Sequence, residues 1–312
     1  MNLPIILVVG PPRSGTTLLG NLLDLHPEFS TIIEPYYIWD RHFRTSSHDQ
    51  MSEKDASEPV RRQIRGSFGR YLADIGAERV VDKSPRNSLK IPFIRTVFPE
   101  AHFVIILRDP RDTILSIRRQ WESVGAAFTT RRHKKLLKER FIIYRRWLAQ
   151  RPTWRLRLQS VFFELGPPQN WLKGNFLNRI RWQRPFGWGP RFAGWQDVID
   201  RVSLLQFNAY QWVHCARGII DNLPRLPEAR VFTLKYEDLI AAPELWLRRL
   251  FSFLGTDLPP SYFETAPPIW ADNSQKWPHA FSAEELKTIG PIISRELMAL
   301  GYEKDESWYQ RM

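Results

Sequence analysis

The chain of 312 residues carries one cysteine, Cys215. That excludes an internal disulfide framework and fits a reducing compartment. No run approaches the ~18 apolar residues that a membrane-spanning helix needs. Met1 to Val9 lacks a basic n-region and leads straight into Gly10, so a secretory leader is not expected. The seven histidines are scattered, with no His/Cys cluster at metal-ligand spacing, and no metal is expected. Acidic residues are scarce in one place above all. Between Arg131 and Trp195 there are 16 Lys+Arg and two acids, Glu139 and Glu164, a local charge of +14 in a chain of net charge +12.

That same stretch holds six of the 13 tryptophans. A basic, aromatic surface suits an anionic glycan, a phospholipid face or single-stranded nucleic acid. It equally suits a solvated basic helix followed by a Trp-stapled loop. Elsewhere the composition is ordinary for a globular protein, with 43% hydrophobic and 25% charged residues. The expectation is one soluble, cytoplasmic domain over 1–312, with 131–195 as an insertion. Peripheral contact with an anionic membrane stays open.

Apolar runs separated by helix-length stretches organise the rest. Ile5 to Val9 reads as a buried strand, bounded by Pro4 and Gly10. Thr16 to Leu25 has helical spacing at Leu18, Leu19, Leu22 and Leu23. Further strands are expected at Thr31–Ile33, Arg79–Val81, His102–Leu107 and Val231–Leu234. Helices are expected over Pro59–Ile75, Leu89–Val97, Asp112–Trp121, Val202–Asp221, Pro243–Leu254 and Ser282–Leu300. Such alternation predicts an α/β fold, a mostly parallel central sheet flanked by helices.

Two motifs carry chemistry. Gly10-Pro-Pro-Arg-Ser-Gly-Thr-Thr17 lies between a strand and a helix, where backbone N–H groups and the helix N-terminus converge on an anion. Its Gly10-x4-Gly15 spacing is that of a P-loop. Position 16 is Thr, however, where a nucleotide triphosphatase carries Lys, and the only strong cation inside the loop is Arg13. The second motif is Arg108-Asp-Pro-Arg-Asp-Thr-Ile-Leu-Ser116, at the carboxyl end of the clearest strand. Ligands of open α/β sheets bind beyond such ends. Arg108 and Ser116 are placed to clamp a second phosphate, the first by a bidentate charge-assisted contact and the second by its hydroxyl.

Together these motifs resemble the sulfotransferase family that uses 3′-phosphoadenosine 5′-phosphosulfate (PAPS). The match looks closest to bacterial and carbohydrate-type members with Arg-Ser-Gly-Thr-Thr. The resemblance implies that Arg13, Ser14, Gly15, Thr16 and Thr17 hold the 5′-phosphosulfate, and that Arg108 and Ser116 hold the 3′-phosphate. It continues in Tyr236-Glu-Asp-Leu239, whose Tyr lies near the adenine in the family, in Phe253-Leu-Gly255, and in the late Lys276-Trp277. It covers 3–121 and 200–303 well, and 122–199 only around Trp188-Gly-Pro-Arg191. Leu18 stands where cytosolic relatives carry a Trp on the adenine, which leaves Trp277 or Tyr236 to cover the base. Lys276 is the candidate second cation for the 3′-phosphate, although the glycine-rich form of that stretch is absent.

The implied reaction moves a sulfuryl group to an acceptor hydroxyl, releasing 3′-phosphoadenosine 5′-phosphate (PAP). Like phosphoryl transfer, it relies on positioning and electrostatics. Sulfate carries less charge than a terminal phosphate, so no metal is obligatory. Arg13 and Lys83 are the candidate cations at the bridging oxygen, Lys83 because Lys83-Ser-Pro85 is similar to an element of carbohydrate sulfotransferases. Glu34-Pro35 resembles the Glu-Pro that supplies the acceptor-activating carboxylate, making Glu34 the candidate base, with His26 and His42 as rivals. Pro35 is expected to hold Glu34 extended. A base needs a pKa raised toward neutrality by burial, or cations that stabilise the alkoxide directly. The acceptor class implied is a saccharide or lipid-linked alcohol, with no specific nucleic acid partner. Two other classes stay open: a P-loop kinase or nucleotide hydrolase, and a non-catalytic binder of anionic polymer or membrane.

Overall fold

A computed structural model describes residues 3–43, 46–129, 189–266, 269 and 274–310. The expected basic insertion at 131–195 lies outside the described residues as far as Trp188. Five strands form one sheet: β1 Ile5–Val9, β2 Phe29–Ile33, β3 Arg79–Lys83, β4 His102–Leu107 and β5 Val231–Lys235. Their order is β2-β3-β1-β4-β5, and every neighbouring pair is parallel. All five residues of central β1 are buried, as a strand covered on both faces must be.

The period-2 alternation of a strand sorts those residues between two cores. Ile5, Leu7 and Val9 face one cluster with Phe68, Phe93 and Trp39. That cluster is contributed by α2 (Tyr36–Trp39), α3 (Glu58–Ile75) and α4 (Ile91–Val97). Ile6 and Val8 face the other, with Leu19, Leu22 and Leu23 of α1 (Thr16–Asp24) and with Leu250 and Phe251. Each large apolar side chain so buried stabilises the fold by about 1.5–3 kcal/mol.

A third cluster matters for the site. It joins α5 (Pro110–Thr129) to the helices Leu204–Ile220 and Ala283–Ala299 through Ile114, Leu115, Trp212, Ile289 and Ile293. Both of the latter helices open with a capping box, Ser203 with Gln206 and Ser282 with Glu285. Those caps set the helix starts one to two residues later than the apolar spacing alone implies. The helix expected over Leu89–Val97 is split, with a 3-10 turn at Pro85–Leu89 before α4. Pro92 in the first turn of α4 starts a new helix there.

Candidate active site

The loop from Gly10 to Gly15 leaves β1 at its carboxyl end and enters α1. Gly15 caps the helix in the left-handed region (φ 98), with no side-chain cap and no acid in the first turn. The first amide groups of α1 are therefore left for an anion. A Cβ on Gly15 would lie 2.5 Å from Tyr236 Cδ2, and one on Gly10 would lie 2.4 Å from the Ile106 carbonyl oxygen. Both positions demand glycine. Arg13 also has a positive φ, 69°, a conformation that costs a non-glycine residue about 1–2 kcal/mol.

The second motif meets the first across a short gap. Arg108 directly follows β4, and Ser116 lies on α5. Arg13 Nε donates to Ser116 Oγ at 3.0 Å, and Arg108 Nη1 donates to the Arg13 carbonyl at 3.2 Å. The Arg108 guanidinium also sits 4.6 Å from the centroid of the Tyr236 ring. Burial and then the neighbouring Arg108 charge lower the Arg13 pKa. Two guanidinium groups brought this close favour an anion beside them.

Lys83 ends β3, beside β1, and its side chain is 4% exposed. Its stem packs under α1, where a Cβ on Gly20 would come within 3.3 Å of Lys83 Cβ and Cγ. Lys83 Nζ donates to Glu34 Oε1 at 3.0 Å. The Glu34 N–H donates to the Lys83 carbonyl at 2.9 Å, extending the β2–β3 ladder by one bond. Glu34 is not extended as its following proline implies; its φ is 51°. The chain must turn at once into α2, whose Tyr37, Ile38 and Trp39 are buried, and that packing outweighs the local preference. Strain of this kind collects at functional sites. Its pKa also departs from one expectation: burial raises it, but the charge and hydrogen bond of Lys83, with Arg86 and Tyr36, bring it below the ordinary value. Glu34 is an ionised carboxylate paired with a cation, so the second option, cations acting directly, fits it.

These residues line one cleft of about 410 Å3, in which Arg13, Lys83, Arg108, Arg119 and Lys276 face Glu34 and Asp112. That volume lies within the ordinary range for small-molecule sites. Gly15, Thr16, Thr17, Ser116 and Tyr236 line it too. Ser14 does not. It is fully buried, and its hydroxyl and N–H both donate to the Pro11 carbonyl, so it shapes the loop. Trp277 is also absent from the lining, because its ring lies against the Arg111 guanidinium at 3.9 Å and edge-on to Trp308. Of the two rings expected near a base, only Tyr236 reaches the cleft. His26 is buried between Phe29 and Phe251, with Nε2 on the Asp257 carbonyl, and His42 is exposed outside the lining.

Sequence reasoning missed three contributors. Arg119 stands three residues beyond Ser116 on α5, a helical spacing that brings both to one face. Asp112 accepts the backbone N–H groups of Lys276 and Trp277, each at 2.9 Å. Arg86 supports Glu34 from behind, lying over the Tyr36 ring at 4.0 Å and pairing with Asp40 and Asp49. The last two depend on contacts between distant segments, which no local pattern announces.

A family model described as "Sulfotransferase family" matches residues 4–165 and 191–260. The chain is 28% identical over 146 residues to nodulation protein NoeE of Sinorhizobium fredii, a match covering 42% of this chain and 34% of that protein. It is 32% identical over 121 residues to a putative protein-tyrosine sulfotransferase of Caenorhabditis briggsae, covering 36% and 42%. The match thus spans well under half the length of either relative. Among solved structures, the sulfotransferase domain from the curacin biosynthetic pathway shares the fold, with a TM-score of 0.54, 15% identity, and coverage of 95% of this chain and 98% of that one. With the family model spanning more than half of the sequence and both anion motifs inside it, the chain belongs to the sulfotransferase family.

Proposed function

We propose that the protein is a PAPS-dependent sulfotransferase that forms a sulfate ester on an acceptor hydroxyl. The observation that carries this reading is the meeting of the two motifs, Arg13 Nε on Ser116 Oγ at 3.0 Å with Arg108 on the Arg13 carbonyl. One molecule with phosphates at both ends of a ribose satisfies both motifs, and a nucleoside triphosphate does not need the second. Gly10 and Gly15, which exclude any Cβ, leave a backbone cradle that fits such a group. Bound there, PAPS would supply an activated sulfuryl group.

The side chains then divide the work. The α1 amide groups, Thr16 and Thr17 hold the 5′ end, while Arg108 and Ser116 hold the 3′-phosphate. Arg13 and Lys83 stabilise charge that develops on the bridging oxygen as the S–O bond breaks, each such contact contributing about 3–4 kcal/mol to the barrier lowering. Glu34 takes the acceptor proton as the new O–S bond forms. Its lowered pKa makes it a modest base, and the cations beside it compensate by stabilising the alkoxide. A saccharide or lipid-linked alcohol is the acceptor class we favour, on Glu34-Pro35. The protein-tyrosine sulfotransferases among the relatives make a tyrosine hydroxyl the competing class. An acceptor held at an anionic membrane remains compatible with the charge of 131–195.

Calorimetric titration with PAP, beside ADP and ATP–Mg2+, tests the nucleotide. Micromolar PAP binding without magnesium and much weaker ADP is the expected result. A preference for ATP–Mg2+ overturns the reading in favour of a P-loop kinase or hydrolase, and no nucleotide binding in favour of a non-catalytic binder. Sulfate transfer from labelled PAPS to glycans, lipid-linked alcohols and tyrosine peptides then separates the acceptor classes.

A further inference from the structure

Among the described residues 274–281, Lys276 lies in neither a strand nor a long helix. Gln275 before it has a positive φ of 56°, and only a three-residue 3-10 turn, Trp277–His279, follows. Two adjacent residues in the first turn of α5 grip this stretch. Asp112, 2% exposed, accepts both the Lys276 and the Trp277 N–H on Oδ1, each at 2.9 Å. Arg111 lies over the Trp277 ring at 3.9 Å and is itself pinned, Nη2 on Asp109 Oδ2 at 2.7 Å and Nη1 on Glu303 Oε1 at 2.5 Å. The second Asp112 oxygen is buried with no hydrogen-bond partner. A carboxylate so placed is costly unless its accepted bonds matter. Asp112 lines the cleft alongside Lys276, and it belongs to the same strand–helix junction that carries Arg108 and Ser116.

We propose that Asp112 is a positioning residue: its two backbone contacts register the 275–277 segment so that Lys276 joins Arg108 and Ser116 in one phosphate-binding wall. This rests on the reading of the cleft as a nucleotide site. A rigid junction holds both walls. Arg108 leaves β4, Asp112 follows one helical turn later, and the segment it carries comes from more than 160 residues downstream. The lysine is thereby set against the arginine through α5.

A double-mutant cycle on the full chain tests this. PAP affinity is measured for Lys276→Ala, Asp112→Ala and the double variant, with Asp112→Asn as the rescue, since its amide oxygen still accepts both N–H groups. Lys276→Ala should weaken PAP about tenfold, the size of one charge-assisted phosphate contact. Asp112→Ala should weaken it similarly, the double variant no more than about twofold further, and Asp112→Asn should recover most of the loss. Amide exchange at Lys276 and Trp277 should rise in Asp112→Ala and stay slow in Asp112→Asn; if the alanine variant does not fold, Asp112→Ser replaces it. Multiplying losses in the cycle, or unchanged exchange, overturn the proposal. So does a silent Lys276→Ala in a protein whose Arg108→Ala variant loses PAP, an outcome that leaves the nucleotide reading standing. Wild-type protein that binds no PAP overturns both.

Discussion

Replacing Arg108 with Ala separates two roles that the structure gives this side chain. One is the proposed 3′-phosphate contact. The other is support of the loop, through Nη1 on the Arg13 carbonyl at 3.2 Å and the guanidinium over Tyr236 at 4.6 Å. A hydrogen bond to a charged group contributes about 1.5–3 kcal/mol, which is roughly 10- to 150-fold in affinity. A bond between the guanidinium and a main-chain carbonyl at the long end of the range, on a part-exposed side chain, contributes about 0.5–1 kcal/mol. The first loss applies only to a ligand with a 3′-phosphate, the second to any ligand of the loop. PAP, which suffers both losses, should therefore weaken by about 30- to 800-fold, and 5′-AMP by no more than about fivefold. Calorimetry with both ligands on wild type and Arg108→Ala reads the difference directly. Equal losses would refute the 3′-phosphate role and leave Arg108 as a prop for the P-loop. Ser116→Ala provides an internal scale: a neutral hydroxyl contributes about 0.5–1.5 kcal/mol, lost to PAP at the 3′-phosphate and to either ligand through the bond that Ser116 accepts from Arg13.

Glu34→Gln should keep PAP affinity within about threefold while turnover falls by 10²-fold or more, the usual size of a lost general base; retained turnover would remove Glu34 as the base. Because Lys83 and Arg86 hold the Glu34 pKa low, the carboxylate stays ionised as pH falls toward the ordinary glutamate range. The acid limb of kcat/KM in the free enzyme should lie below about pH 4.3, and a limb near pH 6 would contradict the ion pair. Gly15→Ala should destabilise the fold by more than about 1 kcal/mol and abolish PAP binding, since it adds strain at φ 98 and a Cβ 2.5 Å from Tyr236. Denaturant unfolding and titration check it. Burial raises the Asp49 pKa, but Arg86 and Arg191 bring it down to about 2. Against about 3.9 unfolded, that shift is a stabilisation of about 2–3 kcal/mol, complete above about pH 5 and lost progressively as pH falls through about 2. The stability gap between wild type and Asp49→Asn, measured by urea unfolding, should therefore shrink between pH 5 and 3.

The sheet was legible because its signals are local. Each run from Ile5–Val9 to Val231–Lys235 is short, apolar and bounded, and helix-length chain separates them, so parallel order follows from right-handed crossovers. The anion motifs were legible for a related reason: a glycine turn between strand and helix, and an arginine closing a buried strand, are each contained in a few consecutive residues. What escaped was set by contacts over distance. Pro35 speaks locally for an extended Glu34, and burial of Trp39 against Phe68 and Phe98 turns the chain the other way. Trp277 reads as a ring available for a base until Arg111 and Trp308 are seen against it. Ser14 reads as a ligand until its hydroxyl is found on Pro11.

The chain of charge behind Glu34 explains why an ionised carboxylate can stand there. Arg86 bridges Asp40 and Asp49, Lys90 is fully buried with Nζ on Asp40 at 2.9 Å, and Arg191 grips Asp49 at 2.9 Å. Burying so many ions is costly, and an apolar core of the same volume would serve stability as well or better. An apolar core would, however, remove the Arg86 charge and push the Glu34 pKa upward. With Arg86 stacked on Tyr36, two residues beyond Glu34, the carboxylate is kept ionised and aimed from the end of β2. The same network reaches Arg191, within the basic segment, whose carbonyl accepts the Asp49 N–H and whose N–H donates to the Asp49 carboxylate. Thus Arg191 and the loop bearing the candidate base are built on one set of buried charges.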